Sequence, residues 1–231
     1  MTKNNIMRFI FSIALFYGLF VQAQKVNPHD DSFTFELGLP NAFTNKPFKS
    51  IMQGLVSATP SYQYRTPSGF AYGFGLQYTY FAINEFRLPS KVYGGMHTGT
   101  AFIKLGYEKF FTEIIGIDAG LRAGYVQSYM RSDALLANNN ERFRMTQATY
   151  FEPTVSLVMA VDVNSSYRFT VGYPIYGFNF TPGMIGLTEN LGYDPADFTK
   201  VSSFLTVGFG WSYYFNGKKS QGGGGGDDDG W

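Results

Sequence analysis

Several charged side chains stand at every second position of segments that are otherwise apolar, and they are the residues best placed to do chemistry. Charged residues make up only 15% of the 231 residues, against about a quarter in ordinary domains. Carboxylates and cations gathered on one face can neutralise one another, conduct ions or protons, or bind a ligand. The set consists of Glu36, Lys104, Glu108, Asp118, Arg122, Glu152, Asp162 and Arg168.

The signs of these charges nearly balance. Five acids face three bases, and Arg65, close to a predicted turn, adds a further base. A path for ions is normally lined by one sign of charge, so a balanced set indicates a salt-bridged plug; a conduit or a ligand site is the alternative. Lys104 and Glu108 share one segment, and the turn after it places Glu108 across from about Asp118. Arg122, four residues further on, is expected to join the same pairs.

The chain offers little for catalysis or metal binding. Cysteine is absent, which excludes a thiolate nucleophile, a disulfide and a Cys-ligated metal. Only two histidines occur, His29 and His97, and the sequence predicts no convergence of Ser, His and Asp on either. The net charge of +1 provides no field for nucleic acid. We therefore expect no enzyme, no cofactor, no metal and no nucleic-acid partner.

Alternation of large apolar and small polar residues organises the chain. From Gly69 to Tyr80 every second residue is Phe, Tyr or Leu, and Ala, Gly, Gln and Thr stand between them. Successive side chains of a strand point to opposite faces, so this segment has one aromatic face and one small, polar face. A soluble sandwich would bury the large face, whereas a transmembrane barrel turns it toward lipid and the small face toward its lumen.

Eight such segments predict an all-β fold, a transmembrane antiparallel up-and-down barrel of about eight strands. Most of the segments are long enough for a tilted strand that crosses a bilayer, and rings near their ends predict aromatic belts at the headgroup levels. The segments are Ser32–Leu39, Leu55–Arg65, Gly69–Ala82, Thr98–Phe110, Gly116–Ser128, Thr149–Val163, Tyr167–Tyr176 and Val201–Phe215.

Short and long connections alternate along the chain. This is typical of a barrel with brief periplasmic turns and long extracellular loops, and an even strand number then places both termini in the periplasm. The turns are Thr66–Ser68, Thr112–Ile115 and Asn164–Ser166, and the loops are Pro40–Gly54, Asn84–His97, Tyr129–Ala148 and Gly177–Lys200.

The charged set falls on the inward phase of the predicted strands. In a soluble core each of these charges would cost several kcal/mol unless it were paired, whereas in a small barrel they can pair with one another. Glycines share the inward phase and leave room for long side chains. They are Gly73, Gly75, Gly106, Gly120, Gly124, Gly172, Gly208 and Gly210.

The first residues predict export. Lys3 and Arg8 precede an apolar run, Phe9–Val21, and a small-residue cleavage pattern ends at Ala23. We therefore divide the chain into a signal peptide (1–23), a periplasmic lead-in (24–31), an outer-membrane barrel (32–215) and a flexible periplasmic tail (216–231).

The chain resembles the small eight-stranded outer-membrane β-barrel proteins of Gram-negative envelopes over roughly Ser32 to Phe215. The most specific motif is the last strand, whose alternating aromatics resemble the signal that barrel-assembly machinery reads; its residues are Gly208, Trp211, Tyr213 and Phe215. The resemblance implies contact with outer-membrane lipid and lipopolysaccharide. Adhesins, lipid-modifying enzymes, solute conduits and accessory subunits share this architecture, so the fold alone names no function.

Partner binding is expected at two places. The loop Gly177–Lys200 is apolar and needs cover, either from its own barrel mouth or from lipid or a partner. Five glycines in the tail form a flexible tether, which ends in the candidate partner-binding residues Asp227, Asp228, Asp229 and Trp231. A tail without a function is the alternative there.

We expect a structural or accessory subunit of an envelope complex for secretion, assembly or uptake, with other envelope proteins as partners. Three alternatives stay open: a narrow conduit for protons or small solutes, a lipid-modifying enzyme that uses His97, and adhesion through the long loops.

Overall fold

The computed structural model describes residues 31–187 and 191–215. The predicted signal peptide, residues 24–30 of the lead-in and the tail 216–231 lie outside these described residues. The strand segments are β1 (Asp31–Ala42), β2 (Met52–Arg65), β3 (Phe70–Ile83), β4 (Gly94–Phe110), β5 (Ile115–Ser132), β6 (Arg144–Ala160), β7 (Ser165–Gly172), β8 (Ile175–Tyr176) and β9 (Ser202–Tyr214). Each is antiparallel to its neighbours, and β1 pairs with β9, so the sheet closes into a barrel.

The seventh barrel strand is in two pieces. Both β7 and β8 pair with β6 on one side and with β9 on the other, which makes eight strands in total. The predicted continuous segment Tyr167–Tyr176 is therefore wrong in detail, because Pro174 has no N–H to donate to the ladder. Two backbone hydrogen bonds bridge the interruption, from Tyr173 N to Pro153 O at 3.0 Å and from Phe204 N to Pro174 O at 3.1 Å.

The two faces of the strands are those that the alternation predicts. In β3 the Phe74 side chain is 64% exposed on the outer wall, whereas Gln77 is 3% exposed in the lumen. The outer wall carries an almost continuous covering of rings and branched aliphatic side chains. A monomer in water rarely exposes so large an apolar surface, and a barrel in lipid requires it.

Three short turns, 66–69, 111–114 and 161–164, lie at one end of the barrel, here called the short-turn end. The described chain also starts and finishes there, since Phe215 N donates to Asp31 O at 3.2 Å. The opposite, long-loop end carries α1 (Lys46–Ile51), α2 (Asp133–Asn139) and 3-10 turns at Glu85–Arg87, Pro182–Ile185 and Pro195–Thr199. Among the described residues, no helix is long and apolar enough to cross a membrane.

The strands continue further toward the long-loop end than the predicted segments do. β4 begins at Gly94, β5 runs to Ser132 and β6 begins at Arg144, all inside predicted loops. The inward side chains become apolar there, as at Met96 and Met130. The contrast between the two faces, on which the prediction depended, is therefore lost.

Helix α1 folds into the barrel mouth. The Asn45 side chain caps it by accepting from Phe48 N at 2.9 Å, and Phe48 and Ile51 on its inner face are fully buried. Asn45 Nδ2 also donates to Lys200 O at 2.8 Å and Phe180 O at 3.2 Å, which ties this loop to the loop before β9.

Candidate functional site

The lumen contains an ionic layer toward the short-turn end. Four carboxylates and four basic side chains form it, so their charges cancel, and each residue is between 1% and 6% exposed. Its members are Glu36, Arg65, Lys104, Glu108, Asp118, Arg122, Glu152 and Arg168.

Arg122 holds two carboxylates of the ionic layer. Its Nη2 donates to Glu36 Oε2 at 2.6 Å and its Nη1 to Glu152 Oε2 at 3.1 Å. Each carboxylate has a second donor, since Thr170 Oγ1 donates to Glu36 Oε1 at 2.7 Å and the Tyr150 hydroxyl donates to Glu152. Charge-assisted bonds of this kind are the strong ones, and they offset the desolvation of the buried ions.

Asp118 and Glu108 hold the other cations. Asp118 Oδ2 lies 2.5 Å from both Lys104 Nζ and Arg168 Nη1. Arg168 also donates to Glu108, whose other oxygen lies 3.5 Å from Arg65 Nη1. These bonds join strands on opposite sides of the barrel, so the layer acts as a crosslink through the lumen.

The predicted opposition of Glu108 and Asp118 is present in the β4–β5 register, and Lys104 likewise faces Arg122. Both pairs carry like charges, which repel when they are directly opposite. The ions therefore pair along the diagonal, Lys104 with Asp118, and across the barrel, Glu108 with Arg168.

Asp162 does not belong to the ionic layer, contrary to the prediction. It lies exposed in the turn 161–164, where its carboxylate accepts from Asn164 N and from Ser165 Oγ, both at 2.6 Å. These hydrogen bonds, that of Ser165 first, hold the pKa of the Asp162 carboxyl below its ordinary value. β6 ends at Ala160, because this side chain stabilises a turn in preference to strand.

Inward glycines make space for the ionic layer. A Cβ on Gly120 would lie 3.1 Å from Lys104 Cε, and one on Gly210 would lie 2.7 Å from Glu36 Cγ. A Cβ on Gly172 would collide with the Glu152 carboxylate. The predicted role of these glycines thus has a specific partner at each of the three positions.

An apolar plug fills the lumen between the ionic layer and the long-loop end. Inward strand residues and loop residues contribute to it together, and its rings are in direct contact, as in Phe48–Phe81 with centroids 5.0 Å apart. Its main members are Phe48, Ile51, Phe81, Met96, Phe102, Val126, Met130, Tyr150, Tyr176, Phe178, Phe180, Ile185 and Phe204.

The loop predicted to need cover finds it in its own barrel. Phe180 and Ile185 are fully buried in the plug. Ser132 Oγ donates to Ile185 O at 2.6 Å and Asn138 Nδ2 donates to Gly186 O at 2.8 Å, so α2 and its preceding residue fasten the loop. Of the alternatives for this loop, the barrel mouth is therefore the one that covers its buried rings.

The space left in the ionic layer is small. A cavity of about 20 Å³ lies there, lined by Glu36, Arg122 and Glu152 together with small polar residues. Such a volume accommodates about one water molecule. The apolar plug lies between this cavity and the long-loop end.

Sequence reasoning missed the plug and the Tyr150 hydroxyl. The signal was nevertheless present in the parity of the strands, because Tyr150 shares the phase of Glu152 and Phe102 shares that of Lys104. The chain thus carries a second set of aromatics, on the inward phase, beside the outward one.

His97 lies on the outer wall at the long-loop end. Its Nδ1 is 2.7 Å from the Tyr78 hydroxyl, and its ring stacks on Tyr80 with centroids 4.6 Å apart. Among the described residues it makes no hydrogen bond to a serine or a carboxylate. Nor does the described part of the chain contain a group of three or more residues that could hold a metal ion.

The last strand places its motif on both faces. Gly208 lies in the lumen opposite Gly38, while Trp211, Tyr213 and Phe215 lie on the outer wall. The partner-binding residues predicted in the tail, Asp227, Asp228, Asp229 and Trp231, are outside the described residues.

Comparison with solved structures identifies the class of fold. The chain is similar to Neisserial surface protein A, at 12% identity over 80% of this chain and 97% of that chain, with a TM-score of 0.51. It is also similar to the outer membrane protein OprG from Pseudomonas aeruginosa, at 9% identity over 83% of this chain and 99% of that chain, with a TM-score of 0.51. No protein-family model and no curated protein sequence matches it.

The fold is therefore that of the small eight-stranded outer-membrane β-barrels, as the resemblance predicted. At these identities the similarity concerns the fold, and the function has to be argued from the residues of this chain.

Proposed function

We propose that this protein is an integral outer-membrane barrel without enzymatic activity that acts as a structural or accessory subunit of a larger envelope complex. The observation that carries the proposal is the filled lumen, in which an ionic layer and an apolar plug leave a cavity of about 20 Å³. A barrel filled in this way acts through its outer surfaces. A narrow conduit would require the side chains of both the ionic layer and the apolar plug to move apart.

We infer the orientation from the lengths of the connections at the two ends. The short-turn end, with both ends of the described chain, would face the periplasm, and the loops would face outward. In this arrangement a tail that begins at residue 216 would enter the periplasm. Its acids and Trp231 would be available there to a basic, partly apolar groove on a partner.

The long-loop end offers a surface for protein contact. Phe86 is 92% exposed at the tip of the β3–β4 loop, and Phe43 is also exposed on a neighbouring loop. Exposed rings are typical anchors of protein interfaces, because they bury large areas at low entropic cost. During biogenesis the barrel-assembly machinery would be a further, transient partner of the last strand.

Affinity purification from mild detergent tests the proposal. We expect envelope proteins to co-purify in stoichiometric amounts, to be lost with Phe86→Ser or with truncation after Phe215, and to be retained with Phe111→Ser. Phe111 is the matched control, because it is an exposed ring at the opposite end of the barrel. Isolation of a lone monomer under every mild condition would contradict the proposal.

A further inference from the structure

A cleft lies on the outside of the barrel wall at the long-loop end, separate from the lumen. Its volume is about 810 Å³, and the loops that follow β3 and β5 form its sides. This is within the range of sites that bind small molecules. The lining combines rings with basic side chains, among them Tyr80, Tyr93, His97, Arg131, Arg142 and Phe143.

Tyr80 and His97 line the cleft where it meets the barrel wall. A Cβ on Gly95 would lie 2.7 Å from Tyr80 Cε2 and 2.6 Å from Phe81 O, so the Tyr80 ring rests directly on the β4 backbone. The His97 ring stacks on Tyr80, as described above. Exposed Tyr93 and Phe143 extend this aromatic surface along the sides.

Two arginines give the cleft its charge. Among the described residues neither Arg131 nor Arg142 makes an ion pair, whereas Arg144 nearby is bound to Glu141. Asp133 also lines the cleft, but its Oδ1 accepts from the backbone amides of Tyr93 and Ala134. Among the lining residues two guanidinium groups stand against one carboxylate, and Glu85 reaches Tyr93 from outside the lining. Guanidinium groups match phosphate in geometry as well as charge.

Below the cleft the outer wall has a gap at Gly99, here called the furrow. Gly99 follows His97 on the same face of β4, and a Cβ built on it would meet nothing within 4 Å. Tyr78 lies opposite Gly99 on one side and Gln127 on the other, and Tyr125 lies opposite Ala101, the next outward residue of β4. Tyrosine rings are favoured at the headgroup level of a bilayer, so the furrow lies where acyl chains begin.

We propose that this cleft binds a phosphorylated lipid of the outer leaflet. Its phosphate lies between Arg131 and Arg142, its polar body rests on the Tyr80 ring, and one acyl chain enters the furrow over Gly99. A free anion would account for the arginines but not for the furrow, and an uncharged lipid would account only for the furrow. Such a lipid site requires no protein partner.

Native mass spectrometry of the full chain in a neutral detergent tests the proposal. The probes are diphosphoryl lipid A, the same lipid with both phosphates removed, and inorganic phosphate. We expect the diphosphoryl lipid to bind one to one. Arg131→Gln and Arg142→Gln should each lower its affinity about tenfold. Arg87→Gln is the matched control, because it removes the same charge from an exposed loop position outside the cleft, and it should leave the affinity unchanged.

The furrow is tested by Gly99→Leu. This variant should bind the diphosphoryl lipid more weakly, and it should retain the heat-modifiable mobility on gels that is typical of a folded barrel. Equal affinity for the dephosphorylated lipid would overturn the phosphate assignment. Equal effects of Arg87→Gln and the two cleft variants would overturn the location. Full affinity of the Gly99→Leu variant, with inorganic phosphate displacing the lipid, would show a simple anion site and overturn the lipid assignment.

Discussion

The Arg122 guanidinium lies 5.2 Å from the centre of the Phe102 ring, where the ionic layer meets the apolar plug. The same guanidinium holds Glu36 and Glu152, so one side chain contacts both layers of the lumen. A cation against the face of a ring is stabilised by the ring quadrupole. The two layers are thus joined, and a change in one is expected to reach the other.

Removal of this cation should destabilise the barrel. Arg122→Gln leaves Glu36 and Glu152 buried without their counter-ion, and breaking a buried pair in this way costs about 3–5 kcal/mol. Urea unfolding in lipid vesicles, followed by tryptophan fluorescence, measures the loss. The control is Arg144→Gln, which breaks a partly exposed pair and should cost about 1 kcal/mol or less. Equal losses would contradict the crosslinking role of the ionic layer.

The filled lumen should not conduct. We expect the wild-type protein and Glu108→Gln to be silent in planar bilayers, because the plug lies above the ionic layer whatever its charge. A steady wild-type current that changes with Glu108→Gln would instead support the conduit.

A side chain at Gly172 should destabilise the barrel, because the Glu152 carboxylate of the ionic layer occupies that space. Gly172→Ala forces the Glu152 carboxylate away from Arg122, and overpacking of this kind costs about 1–3 kcal/mol. Gly99→Ala adds the same methyl group to open space on the outer wall and should be close to neutral. The unfolding midpoints of Gly172→Ala and Gly99→Ala are compared, and equal midpoints would refute the prediction.

The turn at Asp162 should make stability depend on pH. The pKa of the Asp162 carboxyl is lower in the folded state than in the unfolded state. The stabilisation from this carboxylate is therefore present above its unfolded pKa, about 4, and is lost as the pH falls through its folded pKa. At pH 7 Asp162→Ala should cost about 1 kcal/mol for the lost hydrogen bonds. Unfolding titrations from pH 7 downward should show wild type and variant converge below about pH 4, and a constant difference would contradict this account.

The sequence predicted the faces of the strands well, because lipid and lumen demand opposite side chains at alternate positions. Around Met96 and Met130 both faces become apolar, and the pattern no longer distinguishes strand from loop. The alternation of the sequence continues beyond Ala160 and through Asp162. The strand nevertheless ends at Ala160, because the Asp162 side chain forms local hydrogen bonds in the turn.

The ion pairs were only partly predictable. Lys104 and Asp118 lie on neighbouring strands joined by a short turn, so their proximity follows from the hairpin. Glu36 and Arg122 are 86 residues apart, and their pairing depends on the tilt and stagger of the closed barrel, which alternation does not encode. The lipid cleft was missed for a related reason, since two separate loops have to fold before Arg131 and Arg142 line the same space.

The seam between β1 and β9 has a consequence for how the protein enters a bilayer. It runs from Ser32 paired with Tyr214 to Ala42 paired with Phe204. Before it forms, both edge strands would present bare amides and carbonyls to hydrocarbon, which tolerates neither. A nascent polypeptide that lacks β9 therefore has no stable resting state within the acyl chains, and insertion is expected to wait until the final strand is available.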